Sequence, residues 1–139
     1  MINPDKISVE TVIHAPIDDV WDAWTTPADI LKWNTASDDW HTVTSEVDLR
    51  VGGAFSSRME AKDGSMGFDF TGEYTRIETH RLIENTLGDR HMLVEFEPHG
   101  DAIKVRETFE PEAEHSIKQQ RDGWQAILDR FAQYVERKQ

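Results

Sequence analysis

Six strand-like segments follow one another without interruption, and this run limits the possible folds more than any other feature of the sequence. Alternation of apolar and polar residues predicts strands over Trp40 to Leu49, Ala54 to Ala61, Gly67 to Ile77, Leu82 to Leu87, Met92 to Glu97 and Ala102 to Phe109. Turn-forming residues separate several of them, namely Gly52-Gly53, Asp63-Gly64, Gly88-Asp89 and Gly100-Asp101. Since short turns join antiparallel neighbours, we expect a six-strand antiparallel meander.

Helical patterns flank the meander on both sides. A further strand, Ile7 to Ile13, precedes a short helix that begins near Pro16 and ends at Thr26-Pro27, and a second short helix is predicted over Ala28 to Trp33. After Pro111 the period changes, because apolar residues recur at three- and four-residue steps at Ile117, Trp124, Leu128, Phe131 and Val135, with Arg121 inside the same stripe. This stripe predicts one long helix, and the concave face of the sheet is the surface large enough to cover it.

Length and charge narrow the function classes. We expect one domain over residues 1–139, because this length is typical of a single domain with its own core. A net charge of -12 repels phosphates and anionic lipids, so neither nucleic-acid binding nor membrane insertion is expected. The sequence contains no cysteine and no recognisable signal peptide, which together favour the cytoplasm.

Several short strings carry a resemblance to a known family. They are Ala15-Pro16, Val20-Trp21, Trp24, Leu31-Lys32-Trp33, Asp48-Leu49-Arg50-Val51-Gly52-Gly53, Asp63-Gly64, Gly72-Glu73-Tyr74, Arg81-Leu82 and Gly123-Trp124. In this order the chain resembles the homologues of the activator of the heat-shock-protein-90 ATPase, within the START/birch-pollen-allergen-like (SRPBCC) superfamily. The resemblance implies a helix-grip α+β fold, in which a curved antiparallel sheet wraps a long C-terminal helix.

The resemblance leaves several functions open, because a fold does not fix an activity. The superfamily includes lipid and sterol carriers, hormone receptors, polyketide cyclases and chaperone regulators. We expect a small hydrophobic or aromatic ligand, lipid-like or polyketide-like. The alternatives are an enzyme of the cyclase, dehydratase or hydrolase type and a chaperone-linked stress-response module.

Aromatic and apolar side chains on the predicted inner faces indicate where such a ligand would bind. Strand alternation and helix periodicity bring them towards one space between sheet and helix. The alternative interpretation of each residue is that it fills the core. The predicted ligand-binding residues are Trp33, Trp40, Phe55, Ser57, Met59, Phe68, Phe70, Tyr74, Met92, Phe96, Glu107, Arg121, Trp124 and Leu128.

Ionisable residues offer few sites for chemistry. Alternation turns Glu107 inwards, where burial would raise its pKa, unless a register break leaves it in solvent. Asp39 and His41 form a second candidate for acid–base catalysis, although a polar loop that enters a strand is the simpler explanation of them. The six histidines show no metal-ligand spacing, and no helix follows Gly52-Gly53 as in a phosphate loop, so neither a metal nor a cofactor is expected.

Overall fold

Seven strands form one curved antiparallel sheet in a computed structural model that describes residues 6–139. The strands lie in the order β1-β7-β6-β5-β4-β3-β2, so the last strand of the meander pairs with the first strand of the chain. Their bounds are β1 Ile7–Ile13, β2 Trp40–Val47, β3 Ala54–Ala61, β4 Gly67–Glu78, β5 Leu82–Leu87, β6 Arg90–His99 and β7 Ala102–Phe109. The predicted meander and the helix-grip architecture are confirmed; residues 1–5 of the predicted domain lie outside the described residues.

Three strands differ in length from the prediction: β4 extends one residue further, to Glu78, and turn geometry explains the larger differences in β2 and β6. β2 ends at Val47 rather than Leu49, because the amide of Arg50 bonds the carbonyl of Asp48 at 2.8 Å and turns the chain away. β6 extends from Arg90 to His99, beyond the predicted Met92 to Glu97, since it runs directly into the two neighbouring turns. Gly88 and Gly100 make those turns tight, each with φ of +66°.

Three helices cover the sheet: α1 (Ile17–Thr25), α2 (Pro27–Trp33) and the long α3 (Ile117–Arg137). Ser116 begins α3 with a capping box, in which its hydroxyl accepts from the amide of Gln119 at 3.1 Å and its amide donates to the Gln119 side chain at 3.0 Å. The apolar side of α3 packs into the core, where Leu128 and Phe131 are fully buried. The longest predicted helix is therefore confirmed, but its predicted inward stripe holds only from Trp124 onwards, because Ile117 and Arg121 near its start are exposed.

An aromatic cluster joins all three helices to the sheet at one end. Trp24 stacks on Trp33 with ring centroids 5.0 Å apart, and Phe131 of α3 meets both rings edge-on at 5.0 and 4.8 Å. The indole of Trp33 also donates to the carbonyl of Ala23 at 2.9 Å, which satisfies its buried N–H. This cluster of Trp24, Trp33 and Phe131 closes the interior at that end of α3.

The helices of the fold differ from membrane-spanning helices. Among the described residues, no helix combines the length and the apolar character needed to cross a bilayer.

Candidate functional site

A cavity of about 850 Å³ lies between the concave face of the sheet and α3. Side chains of β2 to β7 form its wall, and Trp24 and Trp33 of the aromatic cluster close its inner end. α3 contributes Gln120, Gly123, Trp124 and Ile127, which share one helix face because they are three or four residues apart. The cavity therefore lies between the inner face of the sheet and the helix, where the sequence analysis expects a ligand.

Eleven of the fourteen predicted ligand-binding residues line this cavity. They are Trp33, Trp40, Phe55, Ser57, Met59, Phe68, Phe70, Tyr74, Met92, Glu107 and Trp124. The inward positions follow from strand alternation, which places Phe55, Ser57 and Met59 on the same face of β3.

The rings of this wall brace one another. Trp124 stacks on Phe109 with centroids 3.7 Å apart and planes inclined by 15°, and Phe70 meets Trp124 edge-on at 6.1 Å. Phe55 contacts both Phe70 and Tyr74, at 5.8 and 5.3 Å. Contacts between rings fix their orientation, so the wall is largely preformed before any ligand arrives.

Phe96 and Leu128 do not line the cavity, although both face inwards as predicted. Phe96 lies under α1, where its ring centroid is 5.2 Å from that of Trp21 and 6.2 Å from that of Trp24. Leu128 is fully buried in the core. Helices therefore occupy the space beside these two side chains, and their role is packing.

Arg121, Asp39 and His41 also lie outside the cavity. Arg121 is exposed, because it follows Gln120 by one residue and so points about 100° away from the helix face that lines the cavity. Asp39 is exposed, and His41 lies beside Trp40 on β2, where alternation turns it to the opposite side of the sheet. The structure therefore does not bring the predicted Asp39 and His41 pair to the ligand space.

Glu107 is the polar group placed deepest in the wall. It lies on β7 between Val9 of β1 and Val94 of β6, is 4% exposed, and lines the cavity. Within residues 6–139 its carboxyl has no hydrogen-bond or ion-pair partner, and burial raises its pKa to about 8. Burial in apolar surroundings disfavours the charged form, so the group is mostly a neutral acid at pH 7. The predicted inward orientation is confirmed, and Arg121 does not partner it.

Asn85 is a buried cavity residue that the sequence analysis did not identify. It lies on β5 opposite Met92 of β6, and its amide nitrogen donates to the Met92 sulfur at 3.7 Å. A thioether is a weak acceptor, so the amide retains capacity for a stronger partner. Alternation with Ile83 and Leu87, both buried, was the signal that placed Asn85 on the inner face.

Gln120 is a second cavity residue that was not predicted from the sequence. Its side chain holds the segment between β7 and α3 in place. Its side-chain nitrogen donates to the carbonyls of Glu112 and His115 at 3.1 and 2.9 Å, and its oxygen accepts from the Glu112 amide at 2.9 Å. Three bonds from one buried side chain hold residues 112–115 beside the cavity. Its place on the same helix face as Trp124 was the available signal.

Acidic side chains predominate among the charged groups of the lining. Glu46, Glu107, Glu112 and Glu114 stand against one arginine, Arg90, whose guanidinium donates to the Glu110 carbonyl at 3.2 Å. Glu112, Glu114 and His115 bring their ligand atoms within 4.8 Å of one another. His115 and Glu112 already contact each other at 3.1 Å, and exposed acidic groups of this kind are ordinary surface features.

The arrangement suits binding more than covalent chemistry. Apolar rings, one neutral carboxyl and one amide can hold and orient a hydrophobic molecule with a polar group. Among residues 6–139 the lining holds no lysine or cysteine, and Ser45 and Ser57 are paired with each other at 3.4 Å rather than with a base.

The chain is similar to a known protein family and to several solved structures. The family described as Activator of Hsp90 ATPase homolog 1-like protein matches residues 14–136. The solution structure of an AHSA1-like protein from Aeromonas hydrophila is 48% identical, with a TM-score of 0.89 over 96% of this chain and 93% of that chain. A solution structure from Cytophaga hutchinsonii is 44% identical, with a TM-score of 0.83 over 96% and 94%.

More distant structures share the fold alone. A crystal structure from Nitrosomonas europaea is 17% identical, yet it superposes with a TM-score of 0.85 over 100% of this chain and 99% of that chain. No match was found among proteins of curated function. The family match over most of the chain and the two similar structures agree with the helix-grip fold, and the chain belongs to the Activator of Hsp90 ATPase homolog 1-like family.

Proposed function

We propose that this protein binds a small hydrophobic or aromatic molecule, lipid-like or polyketide-like, in the cavity between the sheet and α3. The observation that carries the proposal is the cavity itself, about 850 Å³ with aromatic walls. Ligand sites of proteins commonly measure roughly 300 to 1,000 Å³ and are lined mainly by apolar side chains with a few polar groups.

The incomplete packing of the wall favours ligand binding over the alternative that these aromatic side chains only fill the core. Interiors of proteins are close-packed, and large apolar voids cost stability because the side chains around them lose contacts. Here Phe55, Phe70 and Trp124 keep partly exposed faces towards the cavity although each has ring partners beside it. An apolar molecule in the cavity would remove these ring faces from water, and this burial of apolar surface favours binding.

Methionine methyl groups report on this cavity directly. Met59 and Met92 line it and are buried, whereas Met66 lies at its edge with 66% of its surface exposed. We expect the methyl signals of Met59 and Met92, labelled with carbon-13, to shift in saturable titrations with 1-naphthylmethanol or decanol. If both signals stay unchanged with both probes at millimolar concentration, the proposal is wrong.

Gly123 allows the cavity to be blocked without harming the fold. It lies on the cavity face of α3, and a β-carbon added there meets nothing within 4 Å. Gly123→Trp places an indole in the cavity and replaces a poor helix former, so the variant should fold and bind the probes at least about tenfold more weakly. Gly123→Ala is the matched control, which should bind as the wild type does. Equal binding by both variants would place the probes outside the cavity.

An enzyme that transfers a proton is the second candidate, and the position of Glu107 favours it. A carboxyl with a pKa of about 8 inside an apolar cavity can donate or accept a proton near neutral pH. Glu107→Gln should then abolish turnover of a bound polyketide-like substrate while the methionine shifts of binding persist. Turnover that survives this substitution removes Glu107 from any such mechanism.

A further inference from the structure

The carboxyl of Glu107 has an environment that a ligand with a particular group would complete. It is nine-tenths or more buried and lines the cavity, yet among residues 6–139 no side chain or amide pairs with it. Among these residues every fully enclosed side-chain nitrogen or oxygen has a hydrogen-bond partner. Because the oxygens of Glu107 have none, they are not fully enclosed and are accessible from the cavity. Buried polar groups in proteins are normally hydrogen-bonded, so a ligand group that can pair with this carboxyl would be stabilised in the cavity.

The charges around the cavity decide which partner fits. The ionisable groups that share it with Glu107 are Glu46 of β2, Tyr74 of β4, Arg90 of β6, and Glu112, Glu114 and His115 before α3. α3 contributes the uncharged Gln119, Gln120 and Trp124, and on either side of Glu107 the paired strands present Val9 and Val94. Carboxylates therefore outnumber cations, and the whole chain carries a net charge of -12. Such a field favours cations and disfavours anions.

We propose that the cavity selects an apolar or aromatic molecule that carries one basic amine, and that the ammonium group pairs with Glu107. The inference rests on the proposed function and specifies its ligand class. An ammonium can donate hydrogen bonds to the carboxylate oxygens, and the aromatic rings of Phe70 and Trp124, which line the same cavity, also attract cations.

Proton balance gives the pairing a measurable signature. At pH 7 free Glu107 is mostly protonated and the free amine is an ammonium ion, so forming the ion pair releases the carboxyl proton to solvent. Removing that proton reduces the affinity by about tenfold at pH 7 and by about twofold at pH 8, and the loss disappears only above about pH 9. Affinity for the amine should therefore increase between pH 6 and 8, whereas affinity for an uncharged analogue should not change.

Three probes with the same ring system test the inference: 1-naphthylmethylamine, 1-naphthylmethanol and 1-naphthoate. Titration calorimetry of the whole chain at pH 8 should show the amine binding about tenfold or more tightly than the alcohol, with the carboxylate weakest. At pH 7, calorimetry in two buffers of different ionisation enthalpy should detect close to one proton released with the amine and none with the alcohol.

Two variants separate a specific contact from the general charge of the protein. Glu107→Gln keeps the size of the side chain but removes its ability to ionise, so the ratio of the amine affinity to the alcohol affinity should fall to about one. Glu73→Gln on the exposed side of β4 removes a surface carboxyl outside the cavity lining and should keep the preference.

The outcomes distinguish the two levels of the proposal. Equal binding of amine and alcohol by the wild type, with no proton released, overturns the inference but leaves hydrophobic binding intact. A preference that persists in Glu107→Gln overturns the assignment to this residue. If none of the three probes binds, both the proposed function and the inference are wrong.

Discussion

Replacing Glu107 by Gln should make the protein more stable at alkaline pH and remove much of its pH dependence. Burial raises the pKa of this carboxyl from its ordinary 4.5 to about 8. In the unfolded chain the group ionises above pH 4.5, whereas in the folded chain it holds its proton until about pH 8. The folded state thus binds more protons in this window, and stability falls as the pH rises.

The magnitude follows from the width of that window. Each pH unit between 4.5 and about 8 lowers the free energy of unfolding by up to about 1.4 kcal/mol, so the full loss is on the order of 5 kcal/mol. A domain of this kind is stable by roughly 5 to 15 kcal/mol in total, so the effect is large. Below pH 4.5 the carboxyl is protonated in both states and the cost is absent.

Urea unfolding followed by tryptophan fluorescence and circular dichroism measures this effect. We expect the free energy of unfolding of Glu107→Gln minus that of the wild type to rise between pH 5 and pH 8 and to level off above it. Glu73→Gln, the same substitution at an exposed position, should give a difference that is flat with pH. A difference that is equally flat for Glu107→Gln, within about 0.5 kcal/mol, would refute the reasoning.

Three further substitutions test the packing around the cavity. Phe131→Ala removes the ring that meets Trp24 and Trp33, and urea unfolding should show a loss of about 3 to 5 kcal/mol; a loss below about 1 kcal/mol would contradict the assigned role. Trp33→Phe deletes the 2.9 Å indole hydrogen bond and should cost about 1 to 2 kcal/mol in the same assay. Gln120→Ala breaks the bond to the Glu112 amide, whose hydrogen exchange should accelerate about tenfold, whereas the exposed Gln133→Ala should leave it unchanged.

The fold was predictable because its signals are local and repeat along the chain. Alternation over Ala54–Ala61 and the three- and four-residue steps within Ile117–Arg137 each depend on a few neighbouring residues. Turn residues such as Gly88 and Gly100, which adopt positive φ, mark hairpin positions in any tertiary context. Strand ends were less predictable, since hydrogen bonds across the sheet decide how far β2 and β6 extend.

For the candidate site, the sequence predicts only the side of the sheet to which each side chain points. Alternation shows that Met92 and Phe96 point to the same side of β6, but α1 covers Phe96 and leaves Met92 in the cavity. Which part of an inward face is packed and which part is open depends on where the helices lie. No local pattern contains that information.

Sequence by itself therefore determined the α+β class, the order of the elements, the family and the inward side of each strand, because these depend on periodicity and on turn chemistry. Only the tertiary structure decided that Arg121 turns away, that Asn85 and Gln120 reach the cavity, and that Glu107 is buried with no partner among residues 6–139. The physical reason is that burial and pairing are properties of groups brought together from distant parts of the chain. A carboxyl on a strand has an ordinary pKa until its neighbours remove the water around it.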